Sequence, residues 1–200
     1  MRNLFITALL LVASSSAHAN IVQNGSFEDT IRANGTWDVY NNINGWSTIS
    51  GPGIEVRNNV ASMSSNGLNF VELDSHNADD TNSAMQQLIA TSAGSLYELL
   101  FDHSPRVQQP STTNGISVFW NGHLLADVTA TGGNSNVWVT QRFFVTGTSS
   151  DELKFLATGS DDSFGGNIDY VRLNAVPVPA AAWLFGSALG LFGFARRNSV

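Results

Sequence analysis

Apolar and polar residues alternate in short runs along most of this chain, and clusters of Gly, Asn, Ser and Asp separate the runs. Tyr97, Leu99 and Phe101 share one face of an extended segment, as do Ile116, Val118 and Trp120, and also Leu153 and Phe155. A period of two is the signature of half-buried strands. Strands are predicted at 45–49, 54–57, 69–74, 84–91, 96–103, 115–121, 123–128, 137–146, 152–158 and 168–174. Asn121-Gly122 lies between two apolar runs, and both residues tolerate positive φ, so a two-residue hairpin is expected there. Residues 30–44 and 104–114 are the least regular and are expected to be long surface loops. Strands of this length and spacing predict an all-β fold, a two-sheet antiparallel sandwich.

Both ends break this pattern. Arg2, the apolar run 4–12 and Ala17-His18-Ala19 have the three parts of a cleaved signal peptide, predicting residues 1–19 as leader and Asn20 as the first mature residue. At the other end, residues 180–195 are apolar on all faces apart from Ser187, and Arg196-Arg197 follow. As a helix this run would be about 24 Å long, slightly short of a ~30 Å hydrocarbon core. The paired arginines would hold the C-terminus on the cytoplasmic side. With Pro177-Val178-Pro179 before it, the 176–197 segment resembles the PEP-CTERM sorting signal: a proline motif, a short hydrophobic helix and an arginine cluster. Val178 stands where the signal's name-giving glutamate would be. The resemblance implies processing by an exosortase, a transient inner-membrane anchor and delivery to the cell surface or matrix of a Gram-negative bacterium.

Between these ends, residues 20–175 form one expected domain, long enough to bury a core. From residue 20 to 176, six basic residues against sixteen acidic ones leave a formal charge of −10. Such a surface repels nucleic acid, so no nucleic-acid partner is expected. The chain has no cysteine, which excludes both a disulfide framework and a thiol nucleophile.

The string Asn24-Gly25-Ser26-Phe27-Glu28, then Gly45-Trp46, Phe70 to Asp74, Gln86-Gln87, Tyr97 to Asp102 and Ile168 to Leu173 follow an order that resembles the galactose-binding-like jelly-roll superfamily. Carbohydrate-binding modules and DUF642-type domains belong to it. The resemblance implies a compact jelly roll with ligand-binding loops or a concave face. It also implies a structural calcium tying the first strand region to the last, with Glu28 and Asp169 at the matching positions. The other reading of those two carboxylates is turn capping, or pairing with Arg32 or Arg172.

Aromatic rings can stack on a sugar while neighbouring polar groups read its hydroxyls. Trp37 and Tyr40, in the irregular 30–44 stretch, are the candidates; the alternative is that they pin the loop. Trp46 and Trp120 alternate as core residues do, and Trp138 fits either role. The acidic stretches 74–80 and 161–162 lack EF-hand spacing and read as solvated turns. Enzymatic signals are sparse. His76, His103 and His123 have no zinc-site spacing, and no G-x-S-x-G elbow occurs. The expectation is a non-catalytic exported protein that binds or structures extracellular or envelope polysaccharide. The alternatives are a protein–protein adhesion or matrix protein and a cryptic glycan-active enzyme.

Overall fold

The computed structural model describes residues 20–76 and 81–177. The expected leader, the apolar C-terminal run, Pro179, Arg196 and Arg197 lie outside them. Pro177 is described and exposed. The chain divides into two units, and the fold below is that of Asn20–Val176. No helix long and apolar enough to cross a membrane occurs among the described residues.

Among the described residues, twelve strands form two six-stranded sheets. They are β1 (Thr36–Tyr40), β2 (Asn42–Ile43), β3 (Trp46–Ser50), β4 (Ile54–Asn58), β5 (Asn69–Glu72), β6 (Ala84–Ala90), β7 (Leu96–Ser104), β8 (Gly115–Trp120), β9 (His123–Val128), β10 (Val139–Thr146), β11 (Ser150–Thr158) and β12 (Asn167–Ala175). One sheet runs β1-β4-β5-β12-β7-β10 and the other β2-β3-β6-β11-β8-β9. Every pairing is antiparallel. This is the expected all-β jelly-roll sandwich. All ten predicted strands are present, and Asn121 and Gly122 take φ of 51° and 76° between β8 and β9. The 30–44 stretch departs from expectation. Its Thr-Trp-Asp-Val-Tyr segment is an edge strand on β4, and Asn42–Ile43 pairs with β3.

Alternation fills the space between the sheets. Tyr97, Leu99, Phe101, Ile116, Val118, Trp120, Leu153 and Phe155 are all buried there. Phe27, Trp46, Phe155 and Phe101 make a chain of tilted and edge-on rings at 5.9, 5.9 and 5.1 Å. Such geometries suit the ring quadrupole. Phe27 enters this cluster from a turn, not a strand. Its own φ is +60°, and the Trp46 indole N–H donates to Asn24 O at 3.3 Å.

The Asn-Gly-Ser-Phe-Glu string therefore acts as a plug for the core and a clasp for the last strand. Val171 N–H donates to Gly25 O at 2.7 Å, Ile21 N–H to Leu173 O at 3.1 Å, and Leu173 N–H to Asn20 Oδ1 at 2.9 Å. A Cβ on Gly25 would lie 2.0 Å from Val171 O, so only glycine allows this approach.

Candidate functional site

The outward face of the β1-β4-β5-β12-β7-β10 sheet is not solvated in the usual way. Cross-strand register places Trp37, Arg57 and Phe70 in one row, and Glu55, Glu72, Asn167 and Ser104 in the next. These rows alternate with Val56 and Val71, which face the core. Loops around 60–66, 105–114 and 160–165 cover the charged row, so Glu55, Arg57 and Glu72 are buried.

Burying charges demands pairing, and they are paired. Arg57 Nη2 lies 2.5 Å from Glu55 Oε1 and 2.9 Å from Glu72 Oε2. Arg106 Nη1 reaches both oxygens of Glu72 at 3.1 Å and donates to Ser163 O at 2.9 Å. Gly165 N–H adds a bond to Glu72 Oε1 at 2.8 Å, and His76 N–H one to Glu55 Oε2 at 2.9 Å. Burial pushes the Glu72 carboxyl upward, while the Arg57 and Arg106 guanidinium groups pull it down. One donor is left over. Arg57 Nη1 is buried without a hydrogen-bond partner.

That donor belongs to a residue lining an open cleft of about 440 Å³, walled by Trp37, His76, Arg106, Ser163 and Phe164. Trp37 and Phe164 are 39% and 41% exposed, which leaves ring surface available for contact. Trp37 is steadied edge-on by His76 at 5.7 Å, and Phe164 lies under the Arg106 guanidinium at 4.6 Å. His76 Nδ1 meets Ser163 Oγ at 3.2 Å. The cleft thus combines two aromatic walls with the polar side chains of His76, Arg106 and Ser163. Chemically it can receive an oxygen-bearing ligand with an apolar face.

The sequence-predicted residues separate. Trp37 lines this cleft, from a strand and not the expected loop. Tyr40, three residues on, packs against the core, and its hydroxyl accepts from Arg32 at 2.8 Å. The two do not form one platform. Glu28 and Asp169 both hold the 65–69 loop. Glu28 Oε1 accepts from Leu68 and Asn69 N–H at 2.8 and 2.7 Å; Asp169 Oδ2 accepts from Ser65 and Asn66 N–H at 2.7 and 2.9 Å. Asp169 Oδ1 takes the Tyr170 N–H at 2.6 Å.

Three of the four carboxylate oxygens are therefore met by amide donors. A calcium cage needs converging oxygens, and among the described residues no three His, Asp or Glu side chains converge as one. This arrangement fits a hydrogen-bonded joint better than a metal centre. Arg32 and Arg172 serve other carboxylates, Asp38 at 3.2 Å and Asp102 at 3.6 Å. Desolvation raises the Asp169 carboxyl to about 7, and its cross-strand partner Asp102 adds to the rise. Asp169 is fully buried.

Arg57, His76, Arg106 and Phe164 were not singled out from the sequence. The available signal was Ile-Glu-Val-Arg-Asn followed by Asn-Phe-Val-Glu, two short strands whose alternation puts opposite charges on the same outward side.

No protein-family model and no curated protein matches the chain. Solved structures do share its fold. A Stig cyclase from Fischerella sp. TAU, solved with an indole ligand, aligns over 81% of this chain and 100% of its own, at 16% identity and a TM-score of 0.56. The K1 cleaved adhesin domain of Lys-gingipain from Porphyromonas gingivalis W83 aligns over 71% of this chain and 98% of its own, at 15% identity and 0.51. An arabinose-bound α-L-arabinofuranosidase aligns over 82% of this chain but 27% of its own, at 13% identity and 0.53. At such identities the likeness establishes the two-sheet sandwich and nothing further.

Proposed function

We propose that the domain is a non-catalytic glycan-binding module, and that the cleft between Trp37 and Phe164 holds a sugar unit of an extracellular or envelope polysaccharide. The supporting observation is the pair of half-exposed rings, Trp37 and Phe164, lining one cleft together with His76, Arg106 and Ser163. A sugar ring offers an apolar face to the aromatic walls and hydroxyl groups to the polar side chains beside them. The formal charge of −10 between residues 20 and 176 opposes polyanions at long range, so the preferred ligand is a neutral polysaccharide. In this reading the ends supply the address: the leader exports the domain, and the PEP-CTERM-like tail delivers it through an exosortase to the surface.

Affinity electrophoresis against neutral and acidic polysaccharides tests the reading. Retardation by a neutral glycan, lost in Trp37→Ala and in Phe164→Ala but kept in Tyr40→Phe, is expected. Equal retardation of wild type and both cleft variants would sink the assignment.

A further inference from the structure

The chain carries six Asn-Gly pairs, at Asn24, Asn34, Asn44, Asn66, Asn114 and Asn121. In such a pair the asparagine carboxamide is open to attack by the next backbone nitrogen, because glycine has no Cβ to obstruct the approach. By sequence the six are alike. The fold separates them.

Ring closure needs a side chain free to turn its Cγ toward the following amide, and an amide nitrogen not already committed. Five of the six are tied. Asn24 Nδ2 donates to Asn44 O at 3.1 Å, and its Oδ1 accepts from Asp29 N–H at 3.2 Å. Asn44 Oδ1 accepts from Gln23 Nε2 at 2.8 Å, and its Nδ2 donates to Asp29 Oδ2. Asn34 Oδ1 accepts from Asn59 Nδ2, and the nitrogen that would attack, Gly35 N, donates to Asn58 O at 2.9 Å. Asn114 is buried; its Oδ1 takes the Arg106 N–H at 2.9 Å and its Nδ2 bonds three carbonyls. Asn121 Nδ2 donates to Asp151 Oδ1 at 2.6 Å, and its Oδ1 accepts from Glu152 N–H at 2.8 Å.

Asn66 is different. Among the described residues, neither its side chain nor the Gly67 N–H has a hydrogen-bond partner. The pair is bonded through Asn66 N–H, to Asp169 Oδ2 at 2.9 Å, and through Gly67 O, which accepts from Ser64 Oγ at 2.7 Å. Asn66 is half-buried and Gly67 is exposed, so water reaches both.

We propose that Asn66-Gly67 is a site of spontaneous deamidation that works as an ageing switch on the joint held by Glu28 and Asp169. Gly67 N attacks Asn66 Cγ, a C–N bond closes a succinimide ring, and the side-chain nitrogen takes up the proton lost by Gly67 N and leaves as ammonia. Water then opens the ring at one carbonyl or the other, giving aspartate or isoaspartate at position 66. Water is the one co-reactant.

The location gives the change its effect. Glu28 and Asp169 grip this loop through the N–H groups of Ser65, Asn66, Leu68 and Asn69. A Cβ on Gly67 would lie 2.5 Å from Glu28 Oε1, so the backbone passes close against that carboxylate. Aspartate at 66 places a third carboxylate beside the two, and like charges at short range repel. Isoaspartate adds a carbon to the backbone and moves the four donors out of register with their acceptors. Either product loosens the joint.

Peptide mapping by mass spectrometry of the full-length chain, aged in mildly alkaline buffer, tests the site. The peptide holding Asn66 should convert at least about tenfold faster than those holding the other five, which must first give up hydrogen bonds. In urea all six should convert at similar rates, because every one is followed by glycine. Hydrogen exchange reads the effect: aged wild type should exchange faster than fresh protein at 65–69, and aged Asn66→Gln should not. Conversion at Asn66 no faster than at the other five, a native ranking that persists in urea, or 65–69 amides that exchange alike in aged and fresh protein would each overturn the proposal.

Discussion

Arg57 sits between two buried carboxylates, and replacing it with methionine should expose how that network is balanced. Methionine keeps much of the volume, so packing changes little. The charge is lost, leaving Glu55 without its 2.5 Å partner and Glu72 with Arg106 alone. Removing one member of a buried pair costs about 3–5 kcal/mol, because the remaining charge keeps its desolvation penalty. Against a total stability of about 5–15 kcal/mol this is a large fraction. For a domain of this size it corresponds to a melting-temperature loss of roughly 10 °C.

The cost should also depend on pH, with a definite sign. Arg57 is one of the two guanidinium groups that pull the Glu72 carboxyl down, so without it that carboxyl rises further above its unfolded value and the native state takes up more protons than the unfolded state. Stability is then regained as pH falls. The gap between variant and wild type should narrow as pH falls toward the wild-type Glu72 value of about 8. Urea denaturation followed by tryptophan fluorescence measures both effects. The comparison is Arg142→Met, whose partner Glu98 is 2.8 Å away but whose own side chain is 62% exposed; it should cost less than about 1 kcal/mol. Equal costs for the two variants, or an Arg57→Met penalty that grows on acidification, would refute the reasoning.

Other expectations concern single sites. Burial raises the Asp74 carboxyl to about 6, so its ionisation opposes folding above that pH; Asp74→Asn, able to donate to Asp161, should raise the melting temperature in chelator at about pH 8 and lose the advantage below about pH 6. The loss should be progressive and complete by about pH 4, and an advantage undiminished there would contradict this. Gly25→Ala should destabilise by about 1–3 kcal/mol through collision with Val171 O, seen as a lower urea midpoint. The calcium expected of the resemblance is checked by Asp169→Asn: if calcium sits at the joint, this variant abolishes a calcium-dependent rise in melting temperature, and an unchanged rise locates the ion elsewhere. Intact-mass analysis of surface-released protein should show loss of the tail bearing Trp183, Leu184 and Phe185; its retention in all material would exclude exosortase processing.

Much of the sandwich was legible because it is encoded locally. Tyr97, Leu99 and Phe101 announce a half-buried strand by themselves, and Asn121-Gly122 announces a hairpin within four residues. β1 was missed because it is an edge strand: Asp38 faces solvent and Trp37 and Tyr40 point to opposite sides, so no single apolar face stands out. The cleft was illegible for a different reason. Arg57, Arg106 and Phe164 come from β4 and two loops, the first and last of the three more than a hundred residues apart in sequence, and strand register brings them together. Asp74 looked like a turn residue because its neighbours are polar. Its burial follows from the 159–165 turn folding over it, which composition does not reveal.

The clasp between the two ends of the domain has a mechanical meaning. Asn20 and Ile21 bond to Leu173, and Gly25 to Val171, so the N-terminal segment runs antiparallel to β12 and both ends leave from the same edge. Pulling the termini apart would load these bonds one after another, as a zipper opens, and would eject Phe27 from the core once Gly25 lets go. Tension between the C-terminal end and the cleft takes another path. It runs along β12, which is bonded to β5 on one side and β7 on the other, and those ladders must yield in shear. A domain tethered at the C-terminal end of β12 and gripping a polymer through Trp37 and Phe164 would be loaded in its stronger direction, and the weak one would be spared.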